Sequence, residues 1–126
     1  MRFLSIYKHA ERNTPPTQEE MASMGALIEQ AMQEGWLLGT EGCLPSALGA
    51  RVRRDGTKVT VSDGPFTEAK EVVGGFALLQ AASKDEAIEL CRRFLAVAGE
   101  GECELRQLYE VPALEPSTPG AAAQTA

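Results

Sequence analysis

Five polar side chains of this sequence lie where they could exchange protons with a small molecule. Lys8 ends a predicted strand and His9 follows it directly. Glu41 and Arg51 stand beside glycines on predicted strands, and Asp63 opens a turn that contains Gly and Pro. Carboxylate, lysine and imidazole groups serve as general acids and bases, and imidazole changes charge near neutral pH. The chain has neither a glycine-rich phosphate loop nor a Ser-His-Asp arrangement, so any chemistry is predicted to be proton transfer. The alternatives are a surface histidine and solvent-facing or interface salt bridges.

Metal and cofactor chemistry is not predicted. The three cysteines, Cys43, Cys91 and Cys103, are widely spaced and form no CxxC pair, and one histidine cannot complete a structural zinc set with them. We interpret the cysteines as small buried hydrophobic residues. The sequence predicts no cofactor.

Charge and hydropathy narrow the range of partners. Twelve Lys and Arg against 18 Asp and Glu give a formal charge of −6, which repels both nucleic acid and anionic lipid. The basic residues at 51–58 lie on a predicted hairpin without interleaved aromatic residues, which favours a solvated face. No signal peptide and no membrane span is recognised, so we expect a reduced, cytoplasmic protein with no direct nucleic-acid or membrane contact.

The elements that must position these groups can be read from periodicity and caps. At 126 residues the chain has room for one domain. Strands are predicted at 2–8, 36–43, 72–81 and 102–111, and capping boxes at Thr17 and Ser83 open two helices that end near Gly35 and Gly99. Methionines on the first helix are interpreted as core filling. A tail at 112–126, rich in Pro and Ala, is expected to be weakly ordered.

A hairpin is predicted between the second and third of these strands. If Asp55 and Gly56 form a two-residue turn, Val52 faces Val59 and Ala50 faces Val61. One face of the hairpin would then be buried and the other solvated.

The order strand, helix, strand, hairpin, strand, helix, strand predicts an α+β fold. We expect a ferredoxin-like antiparallel sheet with two helices on one face and an inserted β-hairpin. The first strand is apolar on both faces, with Leu4 and Ile6 on one and Phe3 and Tyr7 on the other. The face without helices therefore needs a second subunit or a ligand, and we predict a homodimer.

A longer motif makes the sequence specific. The segment 62–76, SDGPFTEAKEVVGGF, closely resembles the signature of YCII-related proteins of the DGPF type, and the segments 1–8, 39–45 and 49–52 agree with it. The resemblance covers residues 1–111 and implies a ferredoxin-like dimeric α+β barrel in the bacterial cytoplasm, often associated with extracytoplasmic-function sigma factors. It implies no known reaction. If the first strand continues, Lys8 and His9 point to opposite faces, so at most one of them faces a cleft. The resemblance favours Lys8.

The signature itself has two readings. In the structural reading Asp63 caps its own turn and Gly64 adopts a positive φ. Pro65 then fixes the backbone, and Phe66 packs the loop against the core. In the functional reading the corner presents Asp63 with Glu68 or Lys70 at the mouth of a cleft. On this reading Gly64, Pro65 and Phe66 join the ligand-binding candidates.

Two functions are consistent with the sequence. The first is a homodimeric small-molecule-binding protein or cofactor-free enzyme with a polar cleft near Lys8, Glu41, Arg51 and Asp63. The alternative is a non-catalytic interaction module that acts on a sigma factor. A cleft holding several ionisable groups favours the first, and an exposed apolar patch away from the dimer contact favours the second.

Overall fold

The computed structural model describes residues 1–12 and 14–110. The four strands of the main sheet are β1 (Arg2–His9), β2 (Leu37–Gly42), β5 (Val72–Gln80) and β6 (Glu102–Gln107), and the helices are α1 (Gln18–Glu34) and α2 (Lys84–Ala98). Strands β3 (Ala50–Asp55) and β4 (Lys58–Asp63) form a separate hairpin, preceded by a 3₁₀ turn at Ser46–Leu48. The predicted tail at 112–126 lies outside the described residues.

The main sheet has the strand order β2-β5-β1-β6, and every neighbouring pair is antiparallel. This is the order of a ferredoxin-like sheet with the hairpin inserted between β2 and β5, so the predicted α+β fold is confirmed. Strand β6 ends at Gln107, not at the predicted 111. Gln107 pairs with Phe3, and β1 begins only one residue earlier, at Arg2. Beyond this pair β6 therefore has almost no partner strand left.

The helix ends follow from their caps. The Thr17 hydroxyl accepts the Glu20 N–H at 3.1 Å and the Glu20 carboxylate accepts the Thr17 N–H at 3.1 Å, which completes the predicted capping box. Gly35 ends α1 with a φ of 83°, a left-handed value that suits glycine. At Ser83 the hydroxyl accepts the Glu86 N–H at 3.1 Å, so α2 begins where predicted.

The two faces of the main sheet differ in burial. Phe3, Ser5 and Leu79 are buried on the face that the helices cover, together with Ala31 of α1 and Ala87, Leu90 and Cys91 of α2. Leu4 and Ile6 point to the other face, opposite Leu78 and Phe76 of β5. Phe76 is 39% exposed. We call this face the open face, because no helix of the described residues covers it.

The hairpin register differs from the prediction. Asp55 pairs with Lys58 and Val52 with Val61, so the two-residue turn is Gly56-Thr57. Gly56 has a φ of 61° and Thr57 does not have a positive φ, which is the pattern of a type II′ turn with glycine first. The expected buried face is also wrong, because every residue of β3 and β4 is exposed in the single chain.

Candidate functional site

A cavity of about 990 Å³ lies between α1, α2 and the covered face of the sheet. Its α1 wall includes Met21, Met24 and Leu27, its α2 wall includes Phe94, and Trp36 lines it as well. The walls are therefore largely apolar and aromatic. A concave, largely apolar space with a few polar groups is typical of small-molecule sites.

The cavity exists because α1 touches the sheet through only part of its length. Ala31, near the C-terminal end, is the buried residue of this helix, whereas Met21 is 55% exposed. Gly25 lies on the cavity wall, and a Cβ there would meet no atom within 4 Å. Met21 and Met24 thus line a cavity instead of filling the core, contrary to our interpretation of the sequence.

Tyr7 and His9 stand side by side on the cavity floor. Their ring centroids are 5.1 Å apart, and the Tyr7 ring packs edge-on against Phe94 at 5.0 Å. A register irregularity between Tyr7 and Lys8 in the β1–β5 ladder accompanies this arrangement. Gly74 makes the space, because a Cβ there would overlap the His9 imidazole and come within 3.3 Å of Tyr7.

The hydrogen bonds of these two residues set their chemistry. His9 Nδ1 lies 2.7 Å from the carbonyl oxygen of Ala10. A carbonyl can only accept, so Nδ1 carries a proton, and in the neutral form of the ring Nε2 is the acceptor. The Tyr7 hydroxyl donates to the Glu100 carbonyl at 2.7 Å, and burial raises the pKa of Tyr7 above its ordinary value. Tyr7 is thereby held neutral, and the acceptor available to a ligand is His9 Nε2.

Acidic groups outnumber basic ones along the cavity. Arg12 is paired with Glu20 at 2.8 Å. The further acidic residues that border the cavity are Glu71 and Glu100, together with Glu41 and Glu102, whose pairing with Phe76 and Lys8 puts their side chains on the open face. This balance disfavours an anionic ligand and suits a neutral or cationic one.

Lys8 lies on the opposite face of β1 from His9. Its ammonium group donates to Glu104 at 2.7 Å across the β1–β6 pair. This hydrogen bond raises the pKa of Lys8 and lowers that of Glu104. His9 is among the cavity-lining residues and Lys8 is not. Glu41 borders the cavity, but it pairs with Phe76 in the β2–β5 register, which puts its side chain on the open face of the sheet.

The corner at 63–66 lies away from the cavity. Asp63 ends β4 opposite Ala50, and the Gly64–Pro65 peptide bond is cis. Asp63 does not cap the turn through an amide two residues on, because that residue is Pro65, which has no N–H. Gly64 does not have the expected positive φ. Glycine is required there because a Cβ would overlap the backbone carbonyl of Ser46.

Ser46 ties this corner to the end of β1. Its hydroxyl accepts the Phe66 N–H at 3.1 Å and donates to the Glu11 carboxylate at 2.7 Å. The Ser46 N–H donates to the same carboxylate at 2.5 Å, and these bonds lower the pKa of Glu11. The buried Ser46 therefore links the corner to the segment that follows β1.

Arg51 belongs to the same corner. Its guanidinium lies 3.8 Å from the centroid of the Phe66 ring and donates to the Glu68 carboxylate, whose pKa it lowers. Phe66 is half-buried under this cation and is not part of the core, which corrects the expectation that it packs the loop against the core. Of the predicted site residues, the structure brings His9 to the cavity and puts the Glu41 side chain on the open face. It gathers Arg51, Asp63, Gly64, Pro65 and Phe66 at the corner.

Sequence reasoning missed Tyr7, Gly74 and Trp36 as site residues. The spacing of Tyr7 and His9 by two residues was a usable signal, because alternate residues of a strand share a face. Among the residues that the structure describes, no cluster of three or more His, Cys, Asp or Glu is arranged to hold a metal. Within the same residues no helix has the length and apolarity needed to cross a membrane.

Known proteins similar to this chain were found at the level of family, sequence and fold. A family model described as the YCII-related domain matches residues 1–111. An uncharacterized protein of Rhizobium meliloti is 33% identical over 89 residues, which is 70% of this chain and 72% of the relative. The predicted resemblance to the YCII-related family is confirmed.

Among solved structures, this chain is similar to 5-chloro-2-hydroxyhydroquinone dehydrochlorinase from Burkholderia phenoliruptrix, determined in complex with 2,5-dihydroxybenzoquinone. The TM-score is 0.48 and the identity is 18%, with 88% of this chain and 96% of that chain covered.

Proposed function

We propose that this chain, which belongs to the YCII-related family, binds a small molecule in the cavity between its helices and its sheet. The observation that supports the proposal best is a largely apolar volume of about 990 Å³ bordered by an imidazole whose Nδ1 donates to a backbone carbonyl, which leaves Nε2 as the acceptor of the neutral ring. The proposal places the protein in the bacterial cytoplasm, as the family resemblance implies.

The lining suggests the chemistry of the ligand. A neutral or cationic molecule with an aromatic or aliphatic body would pack against Met24 and Phe94, and a hydroxyl or N–H group on it would donate to His9 Nε2. If the protein is an enzyme, His9 is the proposed general base, since it can take a proton from such a group.

A neutral fluorescent dye tests the binding site. N-phenyl-1-naphthylamine brightens in apolar surroundings, and Trp36, the single tryptophan of the sequence, lines the cavity as a built-in energy donor. We expect saturable dye emission with loss of Trp36 emission. Native mass spectrometry of protein purified from its source cells would then identify any retained natural ligand.

Gly25 offers a matched pair of variants for this titration. Gly25→Leu fills the cavity and should weaken dye binding by about tenfold or more. Gly25→Ala adds only a methyl group and should leave binding nearly unchanged. Both variants replace a glycine inside a helix and should stabilise the fold by about 0.5–1 kcal/mol. Unfolding would therefore not explain a loss of dye binding. Wild-type affinity in Gly25→Leu would refute the cavity as the site.

A homodimer is part of the proposal. The open face presents Leu4, Ile6, Phe76 and Leu78, and Leu38 is 50% exposed. Burying them needs a second sheet, and obligate interfaces of this kind usually exceed about 2,000 Å² in total. Lys8 with Glu104 is proposed for the rim of this contact. Sedimentation at micromolar concentration should give a dimer and Ile6→Glu a monomer, and a monomeric wild type would refute it.

The exposed hairpin supports a second candidate, an interaction module for a protein such as a sigma factor. Val52, Val59 and Val61 are 69%, 58% and 64% exposed. A Val52→Asp, Val61→Asp double variant distinguishes the candidates. Loss of dye binding or of the dimer would assign the hairpin to the first candidate. Retention of both, with loss of a copurifying sigma factor, would favour the second.

A further inference from the structure

Three hydroxyl and thiol groups meet where α2 packs on the sheet. The Ser5 hydroxyl lies 3.6 Å from the sulfur of Cys91, and Cys103 packs against the buried cluster that contains Cys91. The two thiols are thus neighbours, close enough for each to shift the pKa of the other, although they come from α2 and β6.

The topology forces this meeting. Cys103 pairs with Tyr7 in the β1–β6 ladder, which places it on the helix-covered face beside Ser5. Cys91 lies on the buried stripe of α2 with Ala87 and Leu90. Cys91 also lines the cavity, whereas Cys103 does not. Cys91 is therefore the thiol that borders the cavity, and Cys103 is its partly exposed neighbour outside the lining.

The hydrogen bonds divide the two thiols into different roles. Donation from Cys103 and from Ser5 stabilises a thiolate at Cys91 and lowers its pKa to about 6, while the same contact raises the pKa of Cys103. The thiolate is the reactive form of cysteine. Cys91 is the nucleophile of the pair, and Cys103 keeps its proton.

We propose that Cys91 is a nucleophilic thiol that reduces hydroperoxides entering the cavity, and that Cys103 resolves the product as a Cys91–Cys103 disulfide. The Cys91 thiolate attacks the terminal peroxide oxygen and breaks the O–O bond. The products are a sulfenic acid on Cys91 and, after the leaving oxygen takes a proton from water, an alcohol or water. The Cys103 sulfur then attacks the Cys91 sulfur, expels hydroxide and loses its own proton, so the disulfide forms with release of water.

This inference goes beyond the proposed function, because it needs the cavity only as a route and not as a binding site for the natural ligand. It concerns the described thiols Cys91 and Cys103, whereas Cys43 is exposed and remote from them in sequence. Cys43→Ser is therefore the background for the test, since it removes disulfides between molecules.

The experiment treats the folded Cys43→Ser protein with an equimolar amount of hydrogen peroxide and then alkylates it with iodoacetamide in denaturant. We expect an intact mass lower by two hydrogens, no alkylation, and a peptide that joins Cys91 to Cys103. Adding Cys103→Ala should leave a sulfenic acid on Cys91 that dimedone traps. Adding Cys91→Ala should remove the reaction. Circular dichroism checks that each variant is folded.

Two results would overturn the proposal. One is that Cys91 in the folded protein reacts no faster than Cys43 does in a Cys91→Ala, Cys103→Ala protein. The other is that a dimedone adduct accumulates on Cys91 while Cys103 is present and no disulfide forms. The route is tested separately: Gly25→Leu should slow oxidation of Cys91 several-fold relative to Gly25→Ala, and equal rates would refute entry through the cavity.

Discussion

Replacing Gly64 with alanine tests the tightest packing in the corner that carries the family signature. A Cβ at Gly64 would lie 2.5 Å from the carbonyl carbon of Ser46 and closer still to its oxygen. Both are backbone atoms, so rotating a side chain cannot relieve the overlap and the turn at 46–48 must move. Gly64 does not have a positive φ, so the effect is steric and not conformational.

The magnitude follows from what that movement breaks. Gly64 N–H donates to Gly49 O at 3.0 Å and Phe66 N–H donates to Ser46 Oγ at 3.1 Å. Each such hydrogen bond contributes about 0.5–1.5 kcal/mol to stability, and overpacking costs about 1–3 kcal/mol. We therefore expect Gly64→Ala to lower the free energy of unfolding by about 2–6 kcal/mol.

Urea unfolding followed by circular dichroism at one fixed protein concentration measures this difference. Gly49→Ala is the matched control, because its Cβ would lie 3.4 Å from the same Ser46 oxygen in an ordinary extended conformation. That control should stay within about 0.5 kcal/mol of the wild type. If Gly64→Ala is as stable as Gly49→Ala, the close approach does not explain this glycine.

Three further outcomes are expected. Phe66→Ala should destabilise by about 1–2 kcal/mol, since the ring is half-buried and loses a cation–π contact with Arg51; a loss above about 3 kcal/mol in urea unfolding would show a true core position. Asp63→Asn should change stability by less than about 0.5 kcal/mol, because the side chain is exposed, and loss of dye binding in this variant would place Asp63 in the site. The hydrogen bond from Arg12 lowers the pKa of Glu20 in the folded protein to about 2, below the value of about 4.3 in an unfolded chain. The ionised Glu20 carboxylate therefore stabilises the fold above about pH 4.3, and this contribution is lost as the pH falls toward 2. Arg12→Gln should flatten the melting temperature between about pH 4 and 2, and an unchanged acid slope would contradict the assignment.

Features with a local cause could be predicted from the sequence. The capping box at Thr17 and the glycine at 35 fixed both ends of α1, because a hydroxyl, a carboxylate and a left-handed backbone act within one turn of the chain. The strand order followed from the alternation of strands and helices. The hairpin register did not, because Asp55-Gly56 and Gly56-Thr57 both offer a two-residue turn and differ only in which position needs a positive φ.

The corner at 63–66 contains the predicted turn, but the glycine in it is needed for a different reason than the motif suggested. The sequence DGPF predicts a rigid turn, and the turn is there, yet its glycine is required by a carbonyl 18 residues earlier in the chain, at Ser46. Ser46 itself carries no motif. Its importance arises from burial and from three hydrogen bonds to Glu11 and Phe66, which only the tertiary structure brings together.

The cavity depends on the same kind of distant cause. Strand parity correctly separates Lys8 from His9, but β1 is apolar on both faces, so the sequence does not say which face the helices cover. Phe3 and Ser5 are the buried pair, and that choice carries Tyr7 and His9 inward with them. The His9 imidazole fits on this face because Gly74 on β5 has no side chain. The position of the proposed base is therefore set by a glycine on another strand, and Gly74→Ala should displace His9 from the cavity while leaving β1 paired.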